Sequence, residues 1–332
     1  MYALPGRAWH RQVRYSSMGN DDLRERLNAL NRAPLPQKAG SAPDVDGIRR
    51  RIRRMREEAP RPAAAPVLYR RDLPRAGPKS VARHDPADPP VILEQAVDGA
   101  EISAPHGGKA YVIVNRLEEG CRVCPLRHGT FHYDLLRDGP ELRRRIGGIR
   151  GGGGAAPEDV VLLDLETTGL ASTPLFLIGT LVWEEGIPVV QQYFARDYAE
   201  ERAAISLYLE QVSHKKLLVS FNGSTFDVPY IRARSAANGV SFRMELAHFD
   251  MLHECRRVWR RVLPDCRLQT LEAHICGRMR HSDIPGSEIP EAYHAFVRTG
   301  NAAQIVRILE HNMHDLVTLA ELMVRLPGSE GR

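Results

Sequence analysis

The C-terminal half of this 332-residue chain predicts an α/β domain over residues 158–327, a mixed five-stranded sheet flanked by helices. Three observations predict it. Three apolar runs follow one another with only short turns between them. Helical and strand patterns then alternate, and a long amphipathic helix closes the domain.

Residues 160–165 are a continuous apolar run interrupted by one acid, as expected of a strand buried on both faces. Residues 176–183 and 188–194 are the next two strands, joined by a turn at Glu184, Glu185 and Gly186. Residues 200–212 are helical, with Ala204, Leu207, Tyr208 and Gln211 at three- and four-residue spacing. Residues 217–221 form a fourth strand, and residues 226–238 a helix that Gly239 closes as its C′ residue. A fifth strand is expected at 245–249. Several helices follow, the last spanning 302–326 with an apolar stripe of Ile305, Leu309, Leu316, Leu319 and Met323.

Upstream, the glycine-rich stretch 147–157 reads as a linker. Residues 89–146 read as a small β-containing segment, either a module or an arm leading into the following domain, in which Tyr111-Val112-Ile113-Val114 follows the turn signal Gly107-Gly108. Residues 1–88 are rich in Arg, Pro and Ala and read as a disordered tail with brief helices at 21–30 and 48–58. Charge divides at the same place. Residues 1–83 hold 19 Lys+Arg against 8 Asp+Glu, leaving 27 against 33 in the rest, so the net +5 belongs to the tail. A basic tail gains affinity for nucleic acid by releasing phosphate counterions; a solvated tail with no partner is the alternative. No apolar run reaches the roughly 18 residues of a membrane span, and the first twenty residues lack the apolar core of a secretory signal. Five cysteines, an odd number spread along the chain, suit a reducing compartment, so a cytoplasmic location is expected.

The most informative feature is the end of the first strand, Leu163-Asp164-Leu165-Glu166-Thr167-Thr168-Gly169. Residues two apart in a strand share a face, so Asp164 and Glu166 project together. Two ionised carboxylates at a buried strand end are costly unless compensated, and no Lys or Arg lies nearby in sequence. A divalent cation such as Mg²⁺ or Mn²⁺ compensates such an oxygen-ligand site. The alternative is a strand that ends at Leu163 with both acids in solvent. Asp227 follows the fourth strand and opens a helix, where an acid also complements the helix dipole. Asp315 lies on the flank of the last helix, one turn beyond His311, either turned toward a shared site or forming a solvated pair.

Weaker signals accompany these. Cys121 and Cys124, followed by His128 and His132, have the spacing of a zinc knuckle or are free thiols near a turn. Arg256, Arg257, Arg260 and Arg261 form either a phosphate-contacting or a solvated helix face. Asp283, in a Pro/Gly-bounded loop, either approaches the site or serves as a turn acid.

The segments Asp164-Leu-Glu166-Thr-Thr-Gly169, Phe221-Asn-Gly-Ser-Thr-Phe-Asp227 and His311-Asn-Met-His-Asp315 resemble the three ordered motifs of the DEDD, or DnaQ-like, exonuclease superfamily of ribonuclease-H-like fold. Gln192-Tyr193-Phe194, Cys266-Arg-Leu268-Gln-Thr-Leu271-Glu272 and Ser282-Asp283-Ile284-Pro285-Gly286 resemble the bacterial YprB-like branch. The resemblance implies a 3′–5′ exonuclease acting on single-stranded DNA or RNA ends. In it Asp164, Glu166, Asp227 and Asp315 hold two divalent cations roughly 3.5–4 Å apart. It implies substrate contacts at Thr167, Gly169, Asn222 and Asn312. One departure stands out. Family members with a histidine base carry it five residues before the last Asp, here Glu310; His311 stands where others carry tyrosine. An imidazole there could take a proton near neutral pH or simply hydrogen-bond the nucleophile, with His314 as its competitor. A nucleic-acid-binding or scaffold protein that keeps the fold with little turnover is the alternative function.

Overall fold

The computed structural model describes residues 90–105, 107–117, 133–149, 152–169, 173–280 and 283–326. The expected basic tail, its two brief helices and the Cys121, Cys124, His128 and His132 group lie outside the described residues.

Strands β1 (Ala100–Ser103), β2 (Lys109–Arg116), β3 (Val160–Thr167), β4 (Leu175–Glu184), β5 (Ile187–Phe194), β6 (Leu217–Ser220) and β7 (Ala247–Asp250) form one sheet in the order β1-β2-β5-β4-β3-β6-β7. The five expected strands are β3 to β7. The upstream segment supplies two more, because β2 pairs antiparallel with β5 from Tyr111↔Phe194 to Arg116↔Val189. The glycine-rich stretch therefore joins two parts of one sheet. Helix α1 (Pro140–Gly147) also contributes Leu142 and Ile146 to the same core as the far C-terminal Leu322 and Val324.

The β4–β5 hairpin is a two-residue turn in which Glu185 and Gly186 have φ of 52° and 78°. Positive φ at both central residues matches the right-handed twist of the flanking strands. Strands β3 and β6 pair in parallel, as do β6 and β7. Their connections run through α2 (Glu201–Val212) and α3 (Asp227–Ala237), the short helices that parallel pairing requires. After β7 come α4 (Met251–Trp259), α5 (Leu268–Leu271), a π-helical turn at Glu272–Cys276, α6 (Ile289–Thr299) and the 23-residue α7 (Ala303–Arg325).

Alternation along β3 decides what each face meets. Val161, Leu163 and Leu165 pack with α2 and α3 through Ile205, Tyr208 and Ile231. Val160 and Leu162 pack on the other face with Leu316, Leu319 and Met323 of α7. The predicted apolar stripe of the last helix is buried throughout, from Ile305 to Met323. Among the described residues no helix is long and apolar enough to cross a membrane.

Candidate active site

The face that carries Val160 and Leu162 also carries Asp164 and Glu166, so strand alternation aims both carboxylates toward α7. Both belong to the strand itself, which runs on to Thr167 rather than ending at Leu163. Asp164 pairs across the sheet with Gly179, which pairs in turn with Gln192. Asn312 of α7 lies over this row. Its Nδ2 donates to Asp164 Oδ2 at 2.8 Å, and its Oδ1 accepts from Gln192 Nε2 at 2.9 Å. Only glycine fits beneath it: a Cβ on Gly179 would stand 2.0 Å from Asn312 Oδ1. Asn312, expected as a substrate contact, is fully buried, and its amide is spent on orienting Asp164.

Asp227 arrives from the β6–α3 connection. Asn222 turns the chain there with φ 67°, a left-handed conformation that asparagine tolerates. Gly223 packs so closely that a Cβ would stand 2.2 Å from Ser220 Oγ and 3.0 Å from Asp227 Oδ2. Asp250, the last residue of β7, holds the loop by accepting from the Asn222 amide at 2.8 Å and the Ser224 amide at 3.1 Å. Asp227 opens α3 buried, and burial, with the charge of Asp250, pushes its carboxyl up to about 7. On the opposite lip, Thr167 Oγ1 donates to the Gly169 carbonyl at 2.7 Å, and Tyr230 donates to the same carbonyl at 3.2 Å.

Helix α7 supplies the third wall. His311 Nδ1 donates to Asp283 Oδ1 at 2.8 Å, leaving Nε2 3.6 Å from Asp315 Oδ2. Burial works against the imidazolium, but the bond to Asp283 and the charge of Asp315 outweigh it and raise the His311 pKa. His314 moves the other way: burial and the charges of Arg280 and Arg278 push it down to about 4, so it stays neutral.

Asp164 and Glu166 feel the acids around them. Burial, then the charges of Asp315, Glu166 and Asp227, hold the Asp164 carboxyl well above the usual range. Burial, then Asp315, Asp227 and Asp283, do the same to Glu166, opposed by Arg280. Charge and donor chemistry therefore suit a hard divalent cation, which prefers oxygen ligands. The side chains do not enclose such an ion as they stand: among the described residues no three His, Cys, Asp or Glu side chains gather on one point. The geometry gives a reason. Asp315 is turned onto the Arg280 guanidinium, and Asp164 onto Asn312.

Arg280 has no place in the sequence reading. It is nearly buried and reaches Glu272 through Nε at 2.6 Å, Asp283 through a terminal nitrogen at 3.3 Å, and Asp315 through the other. Nothing in its local sequence marks it, because its partners are 8, 3 and 35 residues away. Asp283 approaches the site, as one of its two readings allowed, and anchors His311. Of the arginine cluster, Arg256 and Arg257 lie on α4, which follows β7, and Arg257 pairs with Glu254.

A parallel β3–β6 pair with acids at its C-terminal end, covered by a helix that returns two more polar groups, defines a ribonuclease-H-like domain. The sequence profile of the RNase H superfamily matches residues 161–327, half of the chain, and the chain belongs to that superfamily. The chain is 28% identical over 208 residues to the uncharacterized protein YprB of Bacillus subtilis (strain 168). That match covers 60% of this chain and 50% of YprB, so the chain spans half the length of this relative. The family B DNA polymerase from the hyperthermophilic archaeon Pyrobaculum calidifontis superposes on 49% of this chain and 24% of its own, with a TM-score of 0.41 and 16% identity.

Proposed function

We propose that this chain is a metal-dependent 3′–5′ exonuclease of the DEDD type that hydrolyses phosphodiester bonds at single-stranded DNA or RNA ends. One observation carries the reading. The charges of Asp315 and Asp227, from two other elements, raise the proton affinity of both Asp164 and Glu166 inside a buried sheet end. A fold gains nothing from concentrating like charge there, and active sites are where such arrangements recur.

In this reading the four carboxylates hold two divalent cations, Mg²⁺ or Mn²⁺. Bound ions of that kind supply Lewis-acid stabilisation of the attacked phosphate and lower the pKa of water toward neutrality. The chain's own residues do the rest. Gly179 and Gln192 fix Asn312, which orients Asp164. Asp283 accepts the hydrogen bond from His311 Nδ1–H, so Nε2 is the nitrogen that accepts a proton from the attacking water. Thr167, Gly169 and Asn222 meet the terminal nucleotide in this reading. The Arg-rich tail adds sequence-independent affinity for the phosphate backbone, and the protein works in the cytoplasm.

A nucleic-acid-binding role with little turnover draws support from a different feature, the hold of Arg280 on Asp315. A labelled-oligonucleotide assay with Mn²⁺ or Mg²⁺ separates the two. The expected outcome is stepwise shortening from the 3′ end with release of nucleoside monophosphates, absent from an Asp164→Ala variant that still melts cooperatively. Oligonucleotide binding by the wild type without nucleotide release would sink the exonuclease reading. Matched DNA and RNA strands in the same assay choose the substrate.

A further inference from the structure

We propose that Arg280 is a built-in counter-ion of the acid group: it holds Asp315 while no divalent cation is bound and yields it when one binds. The proposal rests on the metal assignment made above and gives Arg280 a positioning role, since nothing in it requires contact with the substrate.

The geometry has three parts. First, the Arg280 guanidinium spends each of its nitrogens on a different carboxylate: Nε on Glu272 at 2.6 Å, one terminal nitrogen on Asp283 at 3.3 Å and the other on Asp315. A planar fork is suited to this, where a point charge is not. Second, Arg280 does not depend on Asp315 for its position. Glu272, itself buried in the π-helical turn, is shared with Arg278 at 3.3 Å. Arg278 is fastened to α7 through Thr318 Oγ1 at 2.9 Å and through Glu321. Releasing Asp315 therefore leaves Arg280 tethered by Glu272 and Asp283. Third, Asp315 Oδ1 is held by Arg280, while Oδ2 faces His311 Nε2 at 3.6 Å, beyond hydrogen-bond length. A cation that takes Oδ1 of Asp315 has to displace the Arg280 contact.

It follows that the Arg280 charge lowers the affinity of the site for a divalent cation and stabilises the metal-free fold. The two effects have opposite signs on substitution, which a merely structural arginine would not produce. The test titrates Mn²⁺ calorimetrically into the full chain after EDTA stripping, without nucleic acid, alongside thermal melts with and without Mn²⁺. Arg280→Gln is expected to bind Mn²⁺ roughly tenfold tighter than wild type, the scale of removing one nearby positive charge. It should also melt lower without metal and gain more on saturation. Arg280→Lys guards against a Gln variant that fails to fold. Its ammonium stays with the buried Glu272 and frees Asp315, so its Mn²⁺ affinity should rise by roughly threefold. Unchanged or weaker Mn²⁺ binding by the folded variants, with normal binding by wild type, overturns the role of Arg280 alone. Absence of Mn²⁺ binding by wild type overturns the metal assignment, and this inference with it.

Discussion

Buried carboxylates occur on both faces of the sheet, and the two faces treat them differently. On the α2 side, Glu201 opens its helix at 3% exposure and is fully provided for. Its Oε1 accepts from the Leu175 amide at 2.8 Å and from Arg234 Nε at 2.6 Å, and its Oε2 accepts from a terminal nitrogen of Arg234 at 2.6 Å. A bidentate arginine, a backbone donor and the first turn of a helix together balance one negative charge. At the sheet end that α7 covers, Asp164, Glu166, Asp227 and Asp315 share a smaller supply, one arm of Arg280, the amide of Asn312 and the backbone amides at Asp227. Burial with compensation ties β4, α2 and α3 together. Burial without it leaves charge available for a ligand, and removing that charge should help the metal-free fold rather than harm it.

The largest effect is expected where compensation is complete. Arg234→Ala leaves Glu201 buried beside an empty space, and stranding one partner of a buried pair typically costs about 3–5 kcal/mol. Urea unfolding should report a loss on that scale. A change below about 1 kcal/mol would mean that the pair behaves like an exposed surface bridge, and the contrast between the faces would collapse.

Next in size is Gly179→Ala, which attacks the contact between Asn312 and Asp164. The new methyl would stand 2.0 Å from Asn312 Oδ1, against a side chain at 0% exposure that also holds Gln192. Overpacking of this kind costs about 1–3 kcal/mol. Unlike the Arg234 change, it should also displace Asn312 from Asp164, so the loss of stability should come with a loss of Mn²⁺-induced stabilisation. If stability falls while the Mn²⁺ response stays intact, Asn312 does not orient Asp164.

The two faces were unequally legible in the sequence. Asp164, Glu166, Asp227, His311 and Asp315 were found because each stands in a pattern with a physical meaning: acids at the end of an apolar strand, or at the edge of a helical stripe. Strands β3 to β7 and helix α7 were readable for the same reason. Arg280, Arg278 and the Glu201–Arg234 staple were not, since their partners stand up to 43 residues apart and no local periodicity relates them. The pairing of β2 with β5 was hidden in the same way. Residues 89–146 read as a small segment because the glycine run interrupts the pattern, while edge pairing depends on backbone groups that carry no sequence signature. Asn312 was noticed for its motif, yet its burial against Gly179 and Gln192 is a matter of register, which sequence leaves open.

The smallest effect has the opposite sign and a pH dependence that identifies its cause. Burial, with the charge of Asp250, pushes the Asp227 carboxyl up to about 7 in the folded chain, whereas an unfolded aspartate titrates near about 3.9. Between those values the folded chain binds the extra proton, so this group favours folding below the unfolded pKa. The benefit is then lost as pH rises through the folded one. Asp227→Asn removes the titration and keeps the shape. In EDTA the variant should match wild type near about pH 4 and be the more stable of the two near about pH 8. Saturating Mn²⁺ should reverse the order at the higher pH, because only the wild type retains the ligand. A stability difference that stays flat across that range would mean that Asp227 carries no uncompensated charge. The α7 face would then be balanced as well as the α2 face.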